Sequence, residues 1–208
     1  MVRMKTSFSR FAFTMIELIF AIVVMSIAVM TLPMMTQITS KGIEDNIVQE
    51  AIFAASAELT GATSYYWDER SMEDMYDNNL TFLERVVDVD GNCSNDRLRV
   101  GHINQPYHRR CLDSNATGGV NYTTEEATGV GLNRSIHAVD YAFDASVAEA
   151  AGYKQQYRSQ MSIAKGLNDN NVKELTASIY AEDGTTLLTS LKIYSANIGE
   201  IDYYKRRF

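Results

Sequence analysis

The sequence predicts an α+β protein, with a long N-terminal α-helix packed on a small antiparallel β-sheet. Three observations carry this. An apolar run opens the chain, a helix-spaced apolar stripe follows it, and the second half consists of short β-prone segments separated by turn residues.

The apolar run is Phe13 to Met35, FTMIELIFAIVVMSIAVMTLPMM, 23 residues with a single charge, Glu17. About 20 apolar residues in a helix cross a bilayer. Arg3, Lys5 and Arg10 precede the run with no acid among them, so the positive-inside rule keeps residues 1–12 in the cytoplasm. A secretory signal peptide starts the same way, but its apolar core is shorter and ends at a small-x-small cleavage site, which is missing here. A plain signal anchor explains everything except Glu17. An ionisable group in the bilayer costs about 2.5–3.5 kcal/mol and usually has a partner. No Lys, Arg or His lies within the run. A cut before Phe13 supplies a cation, because it creates an α-amine four residues before Glu17 on the same helix face.

The segment Arg10-Phe11-Ala12-Phe13-Thr14-Met15-Ile16-Glu17-Leu18-Ile19 resembles the processing site of type IV pilins and type II secretion pseudopilins. In that family a basic leader ends in a small residue, usually Gly. A prepilin peptidase cuts there and methylates the new N-terminal Phe. The resemblance implies that Ala12 ends the leader, that Phe13 is the methylated N-terminus, and that Glu17 guides assembly by meeting the amine of a neighbouring subunit. Ala12 stands where Gly is commoner, and Pro33 stands one residue closer to the cut than the family's usual helix proline. The likeness covers about residues 5–35.

It implies a pilin-like fold divided into a cleaved cytoplasmic leader (1–12), a transmembrane and fibre-core helix (13–35), the periplasmic half of that helix (36–63) and a globular α+β domain (64–208). The implied location is the inner membrane, single-pass, with the C-terminal domain in the periplasm, and a fibre after assembly. The implied partners are other pilin or pseudopilin subunits, the prepilin peptidase, the inner-membrane assembly platform and membrane lipid. The implied function is a structural fibre subunit. The alternative is a tip-located minor pilin for adhesion, other binding or DNA uptake.

The charge balance bears on that alternative. The net charge is −7, and without Arg3, Lys5 and Arg10 there remain 16 basic side chains against 26 acidic, a net of −10. Such a domain is a poor generic binder of nucleic acid, which needs clustered Lys and Arg. The basic clusters left are Arg109-Arg110 and Lys205-Arg206-Arg207, readable as local contacts or as solvated ends.

Beyond the apolar run, Pro33 removes a helix hydrogen bond and should kink the helix, and Gly42 is a second soft point. Ile43, Ile47, Ala51, Ala54, Ala55, Leu59 and Ala62 then recur on one helix face and should pack on the sheet. A helix from Phe13 to Thr63 would be about 75 Å long at 1.5 Å per residue. Residues 64–85 read as a loop and a short helix capped by Ser71. Tyr65-Tyr66-Trp67 reads as a core anchor or a ligand platform. Val86–Val89, Leu98–Ile103 and Ser135–Phe143 read as strands. Leu175–Tyr180 and Thr185–Tyr194, joined through Asp183-Gly184, read as a hairpin. Residues 146–161 read as a further short helix.

Cys93 and Cys111 enclose a loop of about 18 residues, and a disulfide there would be worth about 3 kcal/mol in a periplasmic domain. The rival is a zinc site completed by His102 and His108, at a spacing that matches no established module. Asp88, Asp90 and Asn92, with Asn95 and Asp96 nearby, form an oxygen-rich turn. It reads as a polar turn or as a calcium candidate, since calcium takes several oxygen ligands and some secretion pseudopilins bind calcium in their loops. Asn168-Asp169-Asn170-Asn171 is a second polar turn. No phosphate-cradling glycine loop, nucleophile elbow or His-Glu-x-x-His run occurs, so the sequence predicts no enzyme and no other cofactor.

Overall fold

A computed structural model of the chain describes residues 14–74, 82–93, 97–99, 109–112, 120–125, 129–143 and 155–200. Helix α1 runs continuously from Met15 to Ala62, 48 residues, through Pro33 and Gly42. The strands are β1 (Met72–Asp74), β2 (Phe82–Glu84), β3 (His137–Tyr141), β4 (Arg158–Lys165), β5 (Val172–Tyr180) and β6 (Leu187–Ala196). β1 and β2 form a two-stranded antiparallel sheet, and β3-β4-β5-β6 form a four-stranded antiparallel meander. The chain divides into two units between Asn46 and Ile47.

In the first unit every large apolar side chain from Met15 to Ile38 is at least half exposed, Val23 being the least so at 50%. In the second unit the helix turns a stripe of small residues inward. Ala51, Ala54, Ala55, Leu59 and Ala62 are buried against Met161, Ile163, Leu175, Ala177 and Ile179 of the sheet. Alanine lets a helix backbone approach a pleated surface closely, and Leu59 is the one large side chain in the buried stripe. This is the α+β arrangement of a helix packed on an antiparallel sheet that the sequence predicts.

The central strands alternate as their sequences require. Tyr157, Ser159, Met161 and Ile163 are buried, and so are Lys173, Leu175, Ala177 and Ile179, while the intervening residues are half-buried or exposed. A register shift between Ile179 and Tyr180, paired with Thr189 and Leu187, leaves Leu188 as the extra residue on β6. The bulge changes the strand's phase, so Leu188 and Leu191 both pack on the core.

The β5–β6 hairpin follows the Asp-Gly prediction. Gly184 takes φ +68°, and Ala181 N donates to Thr186 O at 2.9 Å. Asp183 accepts from the Thr186 hydroxyl and from the amides of Thr185 and Thr186, which hold its carboxyl well below the usual range.

Two predicted helices are corrected. Ser71 does not cap a helix, because Met72–Asp74 is strand β1, paired with β2. The Ser71 hydroxyl instead donates to Asp68 O at 2.7 Å, closing a buried turn that competes with a helix start. Arg158–Met161 belongs to β4 rather than to a helix. Tyr157, Ser159 and Met161 fit a period of two, and pairing with β5 decides between the periods. The remainder of the predicted 146–161 helix, up to residue 154, lies outside the described residues.

Val86–Val89 forms an isolated bridge from Val86 to Cys111 rather than a strand. Its backbone is held by a side chain: Asn197 Oδ1 accepts from Val87 N at 3.0 Å, and Asn197 Nδ2 donates to Val87 O at 2.7 Å. Of the predicted Leu98–Ile103 strand, Arg99 bridges to Cys93, and residues 100–103 lie outside the described residues. Trp67 is buried, with its indole N–H donating to Ser195 O at 3.1 Å, so it is the core anchor of the aromatic triplet.

Candidate assembly segment

Backbone bonds close the first turn of α1, and a side-chain contact lies beside them. Glu17 N donates to Thr14 O at 3.0 Å and Leu18 N donates to the same oxygen at 3.2 Å. Thr14 Oγ1 donates to Glu17 Oε2 at 3.5 Å. A Thr-x-x-Glu across a helix start is the capping-box spacing, and the helix dipole favours a carboxylate in the first turn. Glu17 therefore has a local role in addition to the one expected from its place in an apolar run. The four-residue word from Thr14 to Glu17 carried that signal in the sequence. Ala12 and Phe13 lie outside the described residues.

The hydroxyls of the apolar segment turn back on the helix. Ser26 donates to Ile22 O at 2.7 Å, Thr36 to Pro33 O at 2.8 Å and Thr39 to Met35 O at 2.9 Å. Satisfied within the helix, they present little unpaired polarity to the surroundings, as lipid demands. Length and composition qualify this helix to cross a membrane, and its most apolar window is wholly unburied.

Cys93 and Cys111 are joined by a disulfide, which removes both thiolates from the zinc alternative. Cys111 N also donates to Arg97 O at 2.9 Å, and Arg97 Nε to Cys111 O at 2.8 Å. Beside the disulfide, Arg109 and Arg110 are half-buried and so do not form a solvated basic end. Residues 205–207 and both histidines of the zinc alternative lie outside the described residues.

The two polar turns, read separately in the sequence, meet in space. Asp90 Oδ1 accepts from Asn170 Nδ2 and Oδ2 from Asn171 Nδ2, each at 2.8 Å. Arg99 reaches the same knot, donating to Asn171 Oδ1 and, at 3.1 Å, to Asn197 O. Tyr122 donates to Asn170 O at 2.5 Å, and burial together with Asp90 and Asp169 pushes its phenol up. Asp88 Oδ1 accepts from Asn92 N at 2.9 Å and, more weakly, from Cys93 N at 3.4 Å. Both oxygens of Asp90 thus face amide hydrogens. Among the described residues, no three His, Cys, Asp or Glu side chains gather closely enough to hold a metal ion.

No protein-family model matches the chain, and neither a curated protein nor a solved structure matches it.

Proposed function

We propose that the chain is a structural subunit of a type IV pilus or type II secretion-like fibre, a pseudopilin or minor pilin anchored in the inner membrane before assembly. The observation that carries this is one continuous helix with two contrasting stretches. One stretch has a bare apolar surface interrupted by Glu17, and the other is built into the core of an α+β head. A bare apolar surface of this length is stable only in lipid or against other apolar helices. A fibre subunit uses both surroundings in turn, first the bilayer and then the helices of its neighbours. Ala12 and Phe13 are the processing pair in this reading, and Phe13 is the methylated N-terminus. Its amine meets Glu17 of the adjoining subunit, and the disulfide-closed head projects into the periplasm.

The contact with Thr14 sharpens the test of Glu17. Gln serves a capping box as Glu does but carries no charge. Glu17→Gln should keep the helix start and leave the protein in the membrane, yet abolish incorporation into fibres. Normal incorporation of Glu17→Gln would overturn the pairing and leave Glu17 only its place in the first turn of the helix. Mass spectrometry of the mature N-terminus tests the route itself. A methylated Phe13 is expected, and Ala12→Arg should leave the full-length precursor mass.

A further inference from the structure

The inward face of β5 reads Lys173, Leu175, Ala177, Ile179, three apolar residues and one lysine, all at 0% exposure. Lys173 Nζ lies 2.9 Å from Asn133 Oδ1, 3.4 Å from Asp68 Oδ2 and 4.8 Å from the centroid of the Trp67 ring. Asn133 is at 0% exposure and Asp68 and Trp67 are each at 3%. An amine, an amide and a carboxylate from three distant parts of the chain are therefore in contact inside the core.

The orientation of each group is fixed independently. Asn133 Nδ2 donates to Asn121 O and Thr124 O, both at 2.9 Å. Backbone carbonyls only accept, so the amide nitrogen must lie on that side and the amide oxygen on the lysine side. Asp68 Oδ1 takes Arg70 Nε at 2.8 Å and Arg70 N at 3.2 Å, which leaves Oδ2 towards Lys173. Asp68 thus faces two cations. Arg70 keeps its side chain 28% exposed, while Lys173 is wholly out of water.

The same contacts that satisfy the charges and the amide also hold the amine one bond away from the carboxamide carbon. A lysine nitrogen in contact with a carboxamide, beside a carboxylate and shielded from water, has the parts of an acyl transfer. We infer that Lys173 and Asn133 become joined by a self-formed isopeptide bond, with Asp68 carrying the protons.

Asp68 Oδ2 takes a proton from the Lys173 ammonium. The freed lone pair attacks Asn133 Cγ, one bond beyond the oxygen that Nζ already touches. Protonated Asp68 hydrogen-bonds the developing oxyanion and then delivers its proton to Nδ2. The Cγ–Nδ2 bond breaks with its electron pair on nitrogen. The second proton lost from Nζ also passes to Nδ2, which leaves as ammonium past the carbonyls of Asn121 and Thr124. One amide is exchanged for another, with no oxidant, reductant or water consumed. The step also replaces a buried ammonium, which carries a desolvation cost even when paired, by a neutral amide. The product ties β5 to the segment entering β3 across the head.

Intact mass of the reduced full-length chain decides this. The protein should weigh about 17 Da less than calculated from its observed N-terminus, the mass of one ammonia. Trypsin should fail to cut after Lys173, and the peptides carrying Lys173 and Asn133 should travel as one species. Lys173→Arg and Asp68→Asn should each restore the calculated mass. A native chain at its full calculated mass would overturn the inference. So would a deficit of the same size with trypsin cutting normally at Lys173, since cyclisation of an asparagine also expels ammonia. The reading on the unaltered chain holds whether or not the variants fold.

Discussion

The two stretches of α1 belong to one helix and are treated oppositely. From Met15 to Ile38 the apolar side chains cover the whole circumference and none is buried. From Ile47 to Ala62 the buried positions form one stripe, Ala51, Ala54, Ala55, Leu59 and Ala62, with Glu50 and Glu58 at its border. The first pattern buries itself only by finding lipid or other helices, and the second is completed within its own chain. The difference teaches that apolar content does not locate the core, whereas the angular spread of apolar residues does.

The sharpest way to break this comparison is to remove the same atoms from each stretch. Leu59 is 4% exposed and Leu18 is 54% exposed. Leu59→Ala should lower the unfolding free energy of the head by about 2–5 kcal/mol, from lost burial plus a cavity. Leu18→Ala should change it by less than about 0.5 kcal/mol. Urea midpoints of both full-length variants in the same detergent check this, and equal losses would mean that the first stretch is also part of the head's core. Adding atoms should show the next largest contrast. Ala55 is at 0% exposure within the packed core, so Ala55→Leu must push its neighbours aside and should cost about 1–3 kcal/mol. Ala21→Leu, on the exposed stretch, should leave the midpoint where it was.

How much was legible follows the same logic. The helix was readable almost to its ends because an apolar run and a stripe at helical spacing are strong periodic signals, and Met15–Ala62 lies one or two residues inside the expected span. The β5–β6 hairpin was readable from Asp183-Gly184. The region around residues 64–74 was not, because β1 is only three residues long and its partner lies eight residues downstream. A strand that short has no period to detect. The Thr-x-x-Glu spacing from Thr14 to Glu17 was legible in four residues, although the contact it makes joins the two side chains. The meeting of Asp90 with Asn170 and Asn171 was not legible, since a sequence separation of 80 residues is bridged by the fold alone. Lys173 belongs to the inward phase of a strand whose expected start, Leu175, fell two residues too late to include it.

A polar contact marks the border of the packed stretch and should show a smaller effect. Tyr157 is buried and donates its phenol to Glu50 Oε2 at 2.7 Å, tying β4's approach to the helix. Tyr157→Phe keeps the ring and removes the donor to a charged acceptor, so a loss of about 1.5–3 kcal/mol is the upper range. Glu50 borders solvent and can rehydrate, which brings the expected loss to about 1 kcal/mol. A loss as large as that of Leu59→Ala would place Glu50 among the groups that cannot reach water.

The smallest effect is a pH dependence at the end of the packed stretch. His137 on β3 faces Glu58 on α1, Nε2 to Oε2 at 3.8 Å, an ion-pair separation beyond hydrogen-bond reach. Glu58 raises the imidazole's pKa above 6.5 against the opposing effect of burial, with help from the Ala138 carbonyl, which Nδ1 meets at 2.9 Å. A folded pKa above the unfolded one means that the folded state holds the proton more tightly. The stabilisation is therefore complete below about pH 6.5 and is lost as the pH rises through the folded value. The His137 side chain is 39% exposed, so solvent screening limits the gain to less than about 1 kcal/mol. Urea midpoints of the head should fall slightly between pH 6 and 8, and Glu58→Gln should flatten that slope by removing the charge that raises the imidazole's pKa. A slope unchanged in Glu58→Gln would assign the proton uptake to another group and leave the helix joined to β3 by packing alone.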